Sequence, residues 1–123
     1  MDKIDLRDRT RDFALAIIDL CEALPRTAAG GIIKRQLLRS GTSIGANYSA
    51  ARRGRSHADF IAKLGIALEE ADETVYWLDL IVHAHLLPGV RVHPALDEAN
   101  QLVAIFVASL RTAKSTATAA AGL

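Results

Sequence analysis

The chain has one cysteine, three prolines and six aromatic residues among 123. Each scarcity excludes something. A single Cys21 cannot form an internal disulfide. It falls in an apolar, helix-periodic stretch, so it is expected to be a small buried core residue in a reducing compartment. Prolines at 25, 88 and 94 leave long uninterrupted stretches, and alternating β-branched runs are missing. Sheet is therefore not expected, whereas Ala, Leu, Arg and Glu favour helix. No apolar run approaches the roughly 20 residues of a membrane span. The longest is Leu102 to Leu110, broken only by Ser109. The charged start MDKIDLRDRTRD lacks the apolar core of a secretion signal. A cytoplasmic protein without membrane attachment is expected.

Acidic residues are missing altogether between Glu22 and Asp59. Seven basic ones stand there: Arg26, Lys34, Arg35, Arg39, Arg52, Arg53 and Arg55. From Asp59 to Pro88 the balance reverses, with six acids against Lys63. The formal net charge of +1 conceals this segregation. Helices kept separate would set a cationic face beside an anionic one, which suits polyanions or self-association.

Hydrophobic spacing predicts four helices. The first runs from about Asp5 to Ala23, with Leu6, Phe13, Ile17, Leu20 and Leu24 inward and Pro25 at the stop. The second runs from about Gly31 to Arg53. At 100° per residue, Ile33, Leu37, Ser40, Ile44, Tyr48 and Ala51 share one face, and Arg35, Arg39 and Arg53 share the opposite one. Gly41 and Gly45, four apart, mark a face another backbone can approach closely. The third helix follows a Ser56 cap with Asp59 behind it. Its stripe is Phe60, Leu64, Ala67, Leu68, Ala71, Val75, Leu78, Ile81, Val82 and Leu86. The fourth is expected from near Pro94 to about Lys114. Residues 1–114 thus read as one up-and-down four-helix bundle. Residues 115–123 read as an Ala/Thr-rich tail, frayed or disordered. Phe13 to Ile18 and Leu102 to Leu110 are apolar around most of the helix, and Ile66, Trp77 and Leu80 lie off the main stripe. A second apolar face implies a partner subunit.

No catalytic or metal constellation emerges, and no cofactor is expected. Glu69, Glu70, Asp72 and Glu73 suggest a carboxylate metal bundle, but Glu-x-x-His spacing is missing and helix two has no acid. Asp79 and His83, with His85 and His93 nearby, read as surface residues near a helix end. No serine has a base placed for a triad, and phosphate-binding glycine motifs are missing. The basic residues remain. Either they pair with acids of helix three or of another subunit, or Lys34, Arg35, Arg39, Arg52, Arg53 and Arg55 contact nucleic-acid phosphates. Tyr48 is helix two's only aromatic, so binding would be driven by shape and charge rather than base stacking.

The string from Gln36 to Tyr48 (QLLRSGTSIGANY), followed by Arg55-Ser56, by Asp59 to Thr74 (DFIAKLGIALEEADET) and by Trp77-Leu78, resembles a known pattern. It is similar to the four-helix-bundle family first met in intervening sequences of bacterial 23S rRNA genes. It is also similar to the accessory variability determinant of diversity-generating retroelements. The resemblance implies an antiparallel bundle, a homopentamer with a basic surface, and no catalytic residues. For the retroelement relative it implies binding of nucleic acid and a reverse transcriptase. Arg39 matches the family's basic residue before the Ser-Ile-x-Ala-Asn element, whose polar positions are Ser43 and Asn47. These two, with Gly41 and Gly45, are expected to serve the bundle's interior. Where many members carry a glutamate after the Asn, this chain has Ala50 and Ala51. The expected role is a non-enzymatic homo-oligomer, binding RNA or DNA or serving as adaptor to a reverse transcriptase or other nucleic-acid enzyme. The alternative is a pure protein–protein scaffold whose basic face is spent between subunits.

Overall fold

The structure, a computed structural model, describes residues 5–120, with side-chain surroundings for 5–116. Four helices form: α1 (Leu6–Ala23), α2 (Ala28–Arg52), α3 (His57–His83) and α4 (Gly89–Ala120). No strand occurs among the described residues. None of their helices is long and apolar enough to cross a membrane.

Three starts are capped by side chains that local sequence supplies. Asp5 accepts from the Arg7 N–H, Thr27 from Gly30 and Ser56 from Asp59. Such caps satisfy amide donors that a helix start leaves open. Thr27 explains why α2 begins at Ala28 and not at about Gly31. α4 departs further from expectation. It begins at Gly89, so Pro94 lies inside the helix instead of at its start. The ring removes one amide donor, but Pro94 and Val90 are both exposed, so the unclaimed carbonyl opens toward water. α4 also continues past Lys114 to Ala120. Its alanines are the strongest helix formers. Residues 121–123, the end of the expected tail, lie outside the described residues.

The helices pack in a cycle, α1 on α2, α2 on α3, α3 on α4, with α4 meeting α1 along the sparsest seam. One core runs through all four. Phe106, Ile17, Leu37, Ile44, Leu64, Leu78, Ile81 and Leu102 are its largest fully buried members. Fully burying such a side chain contributes about 1.5–3 kcal/mol. Leu20 and Phe13 are buried too, and the anticipated α3 stripe faces inward or lies half-buried. Cys21 is buried, and burial pushes its thiol up to about 11.

Neighbouring helices show how the seams close. A Cβ on Gly41 would stand 2.8 Å from Ile17 Cγ2, and one on Gly45 would stand 3.0 Å from Thr10 Oγ1. Those two glycines are what lets α1 come so close. Between α2 and α3, the buried Thr74 hydroxyl donates to Ser40 Oγ at 3.0 Å and Ser43 donates to Glu70 at 2.8 Å. No buried side-chain polar atom among the described residues lacks a partner. The thin α1–α4 seam is closed by charge instead. Arg9 grips Glu98 with two bonds of 2.7 Å, and Arg91 reaches Asp19 at 2.8 Å. The bond from Glu98 holds Arg9 above the ordinary guanidinium range, so it stays charged.

Candidate nucleic-acid interface

The six candidate cations do not form one surface. They divide into three groups along α2, according to what α3 offers them.

Arg39, in mid-helix, is taken up by α3. Its guanidinium donates to Glu70 at 3.0 Å and to Glu73, with weaker bonds to Gln36. Glu70 also accepts from Ser43, and Glu73 from the Trp77 indole at 3.1 Å. The helical projection placed Arg39 with Arg35 and Arg53 on an outward cationic face. Arg39 is exposed, as that face implies, but its guanidinium is paired with α3 carboxylates across the α2–α3 seam. The long side chain reaches around the helix, which a projection from Cα positions does not register.

Lys34 and Arg35 lie near the start of α2. Lys34 is half-buried, and its carbonyl receives the Cys21 thiol at 3.7 Å. Arg35 is exposed, and its guanidinium lies back toward Gly31. Neither has an ion pair among the described residues.

Arg52, Arg53 and Arg55 sit at the opposite end, about 26 Å away along α2 at 1.5 Å per residue. Here the chain turns sharply. Arg53 caps α2: its N–H donates to the Ala50 carbonyl at 3.2 Å and the Gly54 N–H to the Ala51 carbonyl at 3.0 Å. Gly54 follows, where a Cβ would lie 3.0 Å from the Ala51 carbonyl oxygen and 3.2 Å from both Asp59 Oδ2 and the Phe60 nitrogen. The Arg55 N–H donates to Asp59 Oδ2 at 3.2 Å, and Lys63 holds the other carboxylate oxygen at 2.7 Å. The Lys63 bond, with the Arg55 amide, keeps Asp59 below the usual carboxylate range. Asp59 thus stays ionised and fixes the turn. It binds the backbone of Arg55 and leaves the three guanidiniums of the corner exposed, with no ion pair among the described residues.

The motif residues Gly41, Ser43 and Gly45 face neighbouring helices, and Asn47 bonds the backbone of its own. The glycines meet α1 as described, Ser43 bonds Ser40 O and Glu70, and Asn47 donates to Ser43 O at 2.9 Å. Their chemistry serves packing. Tyr48 lies against Phe106, with ring centroids 6.1 Å apart.

His57 is a residue whose role sequence reasoning did not find. Its Nε2 lies 2.8 Å from the Ala113 carbonyl and its ring stacks on Phe60. With Phe60, Ser109 and Thr112 it borders an open groove of about 470 Å³. Nothing in helical spacing pairs residue 57 with residue 113. Asp79 and His83 form an exposed pair at 3.4 Å. The described residues hold no group of three or more metal-ligating side chains.

The comparisons with known proteins agree with this architecture. A solved structure with 34% identity and a TM-score of 0.81 covers 86% of this chain and 98% of its own. It is a protein of unknown function from the S23 ribosomal protein family of Bacteroides thetaiotaomicron. No curated protein matches the sequence. The profile described as 23S rRNA-intervening sequence protein matches residues 2–108. With four helices, no strand among the described residues, and the profile matched over residues 2–108, the chain belongs to the 23S rRNA-intervening sequence protein family.

Proposed function

We propose that this chain is a non-enzymatic, cytoplasmic, antiparallel four-helix bundle that self-associates, by family resemblance as a pentamer, and binds RNA or DNA. The observation that carries the binding reading is the corner of Arg52, Arg53 and Arg55. Three exposed arginines fall within four residues, on a turn held by backbone bonds, and none makes an ion pair among the described residues. Guanidiniums suit phosphate because their planar forks match its oxygens. No aromatic side chain stands among the corner arginines, so phosphate contact and shape, not base stacking, would set the affinity. The antiparallel reading is supported by reversed numbering across seams: residues 9 and 19 of α1 meet 98 and 91 of α4.

The test is fluorescence anisotropy with a labelled 20-nucleotide RNA and a DNA duplex. Wild type should bind with a log–log salt slope of roughly 0.7–0.9 per phosphate neutralised. The triple variant Arg52→Ala, Arg53→Ala, Arg55→Ala should lose at least ten-fold in affinity and about two units of slope, about 0.7–0.9 for each phosphate contact removed. Unchanged binding by the triple variant, or none by wild type at low salt, would reject the reading. An adaptor to a reverse transcriptase or other nucleic-acid enzyme would use this same corner.

The scaffold reading keeps one observation in its favour. Leu15, Ile66 and Tyr76 remain exposed on the outside of the bundle, as a protein–protein contact requires.

A further inference from the structure

We infer that copies of this chain join through two unlike faces: an acidic, aromatic stripe of α3 on one copy seats in the groove between α1 and α2 of the next. The inference rests on the self-association proposed above and adds which surfaces meet.

Large exposed apolar side chains cluster on separate sides of the bundle. On α3, Ile66 and Tyr76 are exposed, Tyr76 by 58%. With Glu69 they recur at positions i, i+3 and i+10, which lie on one helix face; Glu73, at i+7, is half-buried and holds the Arg39 guanidinium. Glu69 and Asp72, beside them, are exposed and have no ion pair among the described residues. This face is apolar and negative.

The other face is a groove of about 250 Å³ between α1 and α2. Ala14, Thr42, Gly45 and Ala46 line it, with Arg7 and Arg11, and no carboxylate does. Small residues leave it open. One turn further along each helix, Ile18 follows Ala14 and Leu38 precedes Thr42, and both are exposed. Leu15 adjoins them, 57% exposed. Lys34 and Arg35, one turn from Leu38, have no ion pair among the described residues. Arg7 and Arg11 pair only with acids of their own helix start, Asp5, Asp8 and Asp12, at the surface. Surface pairs of that kind contribute little and exchange readily.

A second copy is the fitting occupant because the chain itself carries both halves: one apolar centre beside Glu69 and Asp72, the other beside Lys34 and Arg35, none of which has an ion pair among the described residues. Two α3 stripes facing each other would set carboxylates against carboxylates, so a two-fold contact through that face is disfavoured. Pairing of unlike faces leaves each joined copy with one of each still open. The contact therefore repeats, and closes when the rotation per copy permits.

The test exploits that asymmetry. Leu15→Asp with Ile18→Asp disables the groove; Ile66→Asp with Tyr76→Asp disables the stripe. Light scattering coupled to sizing should find wild type larger than a monomer and each variant monomeric, at least ten-fold weaker in association. Mixed one to one, the variants should form a heterodimer through the single intact pair and grow no further. Circular dichroism checks that each variant folds. If a double variant does not, the singles Leu15→Asp and Tyr76→Asp replace it, since both positions are more than half exposed. A monomeric wild type would overturn self-association itself. A larger wild type whose variants keep its size, or whose mixture stays monomeric, would overturn only the assignment of faces.

Discussion

Arg39 and Arg53 leave α2 about four turns apart and within about 40° of each other around its axis. Their fates differ. Arg39 meets Glu70 and Glu73 across the seam; Arg53 meets none. The difference lies in α3. In mid-bundle α3 presents carboxylates toward α2, whereas at the corner its one nearby acid, Asp59, is engaged by Lys63 and by the Arg55 backbone. Charge of one sign along a helix therefore says little about which charges remain available. The acid on the facing helix decides, and its position depends on register.

Several substitutions would break or sharpen this contrast between a seam that holds the fold and a corner that does not. The largest effect is expected from Leu64→Ala, a fully buried α3 residue. It should cost about 2–5 kcal/mol in denaturant unfolding, the usual range for buried leucine truncation. Alkaline pH probes the buried side of the same bundle. The Cys21 thiol is raised to about 11 from 9.0, so folding favours its protonated form. Its contribution is complete below pH 9 and is lost as pH rises from 9 toward 11. Stability should fall there by up to about 1.4 kcal/mol per pH unit more in wild type than in Cys21→Ala. Parallel pH profiles of the two proteins would refute this. Thr74→Val removes the hydroxyl bridging to Ser40 and should cost about 1 kcal/mol, the net contribution of one hydrogen bond. Arg39→Ala should cost less than about 1 kcal/mol, because its side chain is 49% exposed and such pairs are screened. It should also leave nucleic-acid affinity unchanged within about two-fold. If Arg39→Ala weakens binding as much as the corner triple variant, the division between seam and corner is wrong.

Much of the fold was legible from residue types at helical spacing. The inward residues of α1, α2 and α3 were identified correctly, as was the buried Cys21. The boundaries were less so. Pro94 looked like a helix start because proline is favoured there, yet a proline on an exposed side is tolerated within α4. Apolar spacing put the start of α2 at about Gly31, while the Thr27 cap starts it at Ala28. The site was half legible. Sequence singled out six cations but not which of them α3 pairs, and it had no way to join His57 to Ala113.

Local chemistry alone thus determined that the chain makes helices, which faces turn inward, and that small glycines mark a close approach. These depend on neighbours three or four residues away, and a sequence displays such neighbours directly. Which cations stay available, which helix fills each glycine notch, and which apolar side chains remain outside were decided by register between helices. That register follows from packing of the whole core, a property of residues far apart in the chain, so only the tertiary structure expresses it.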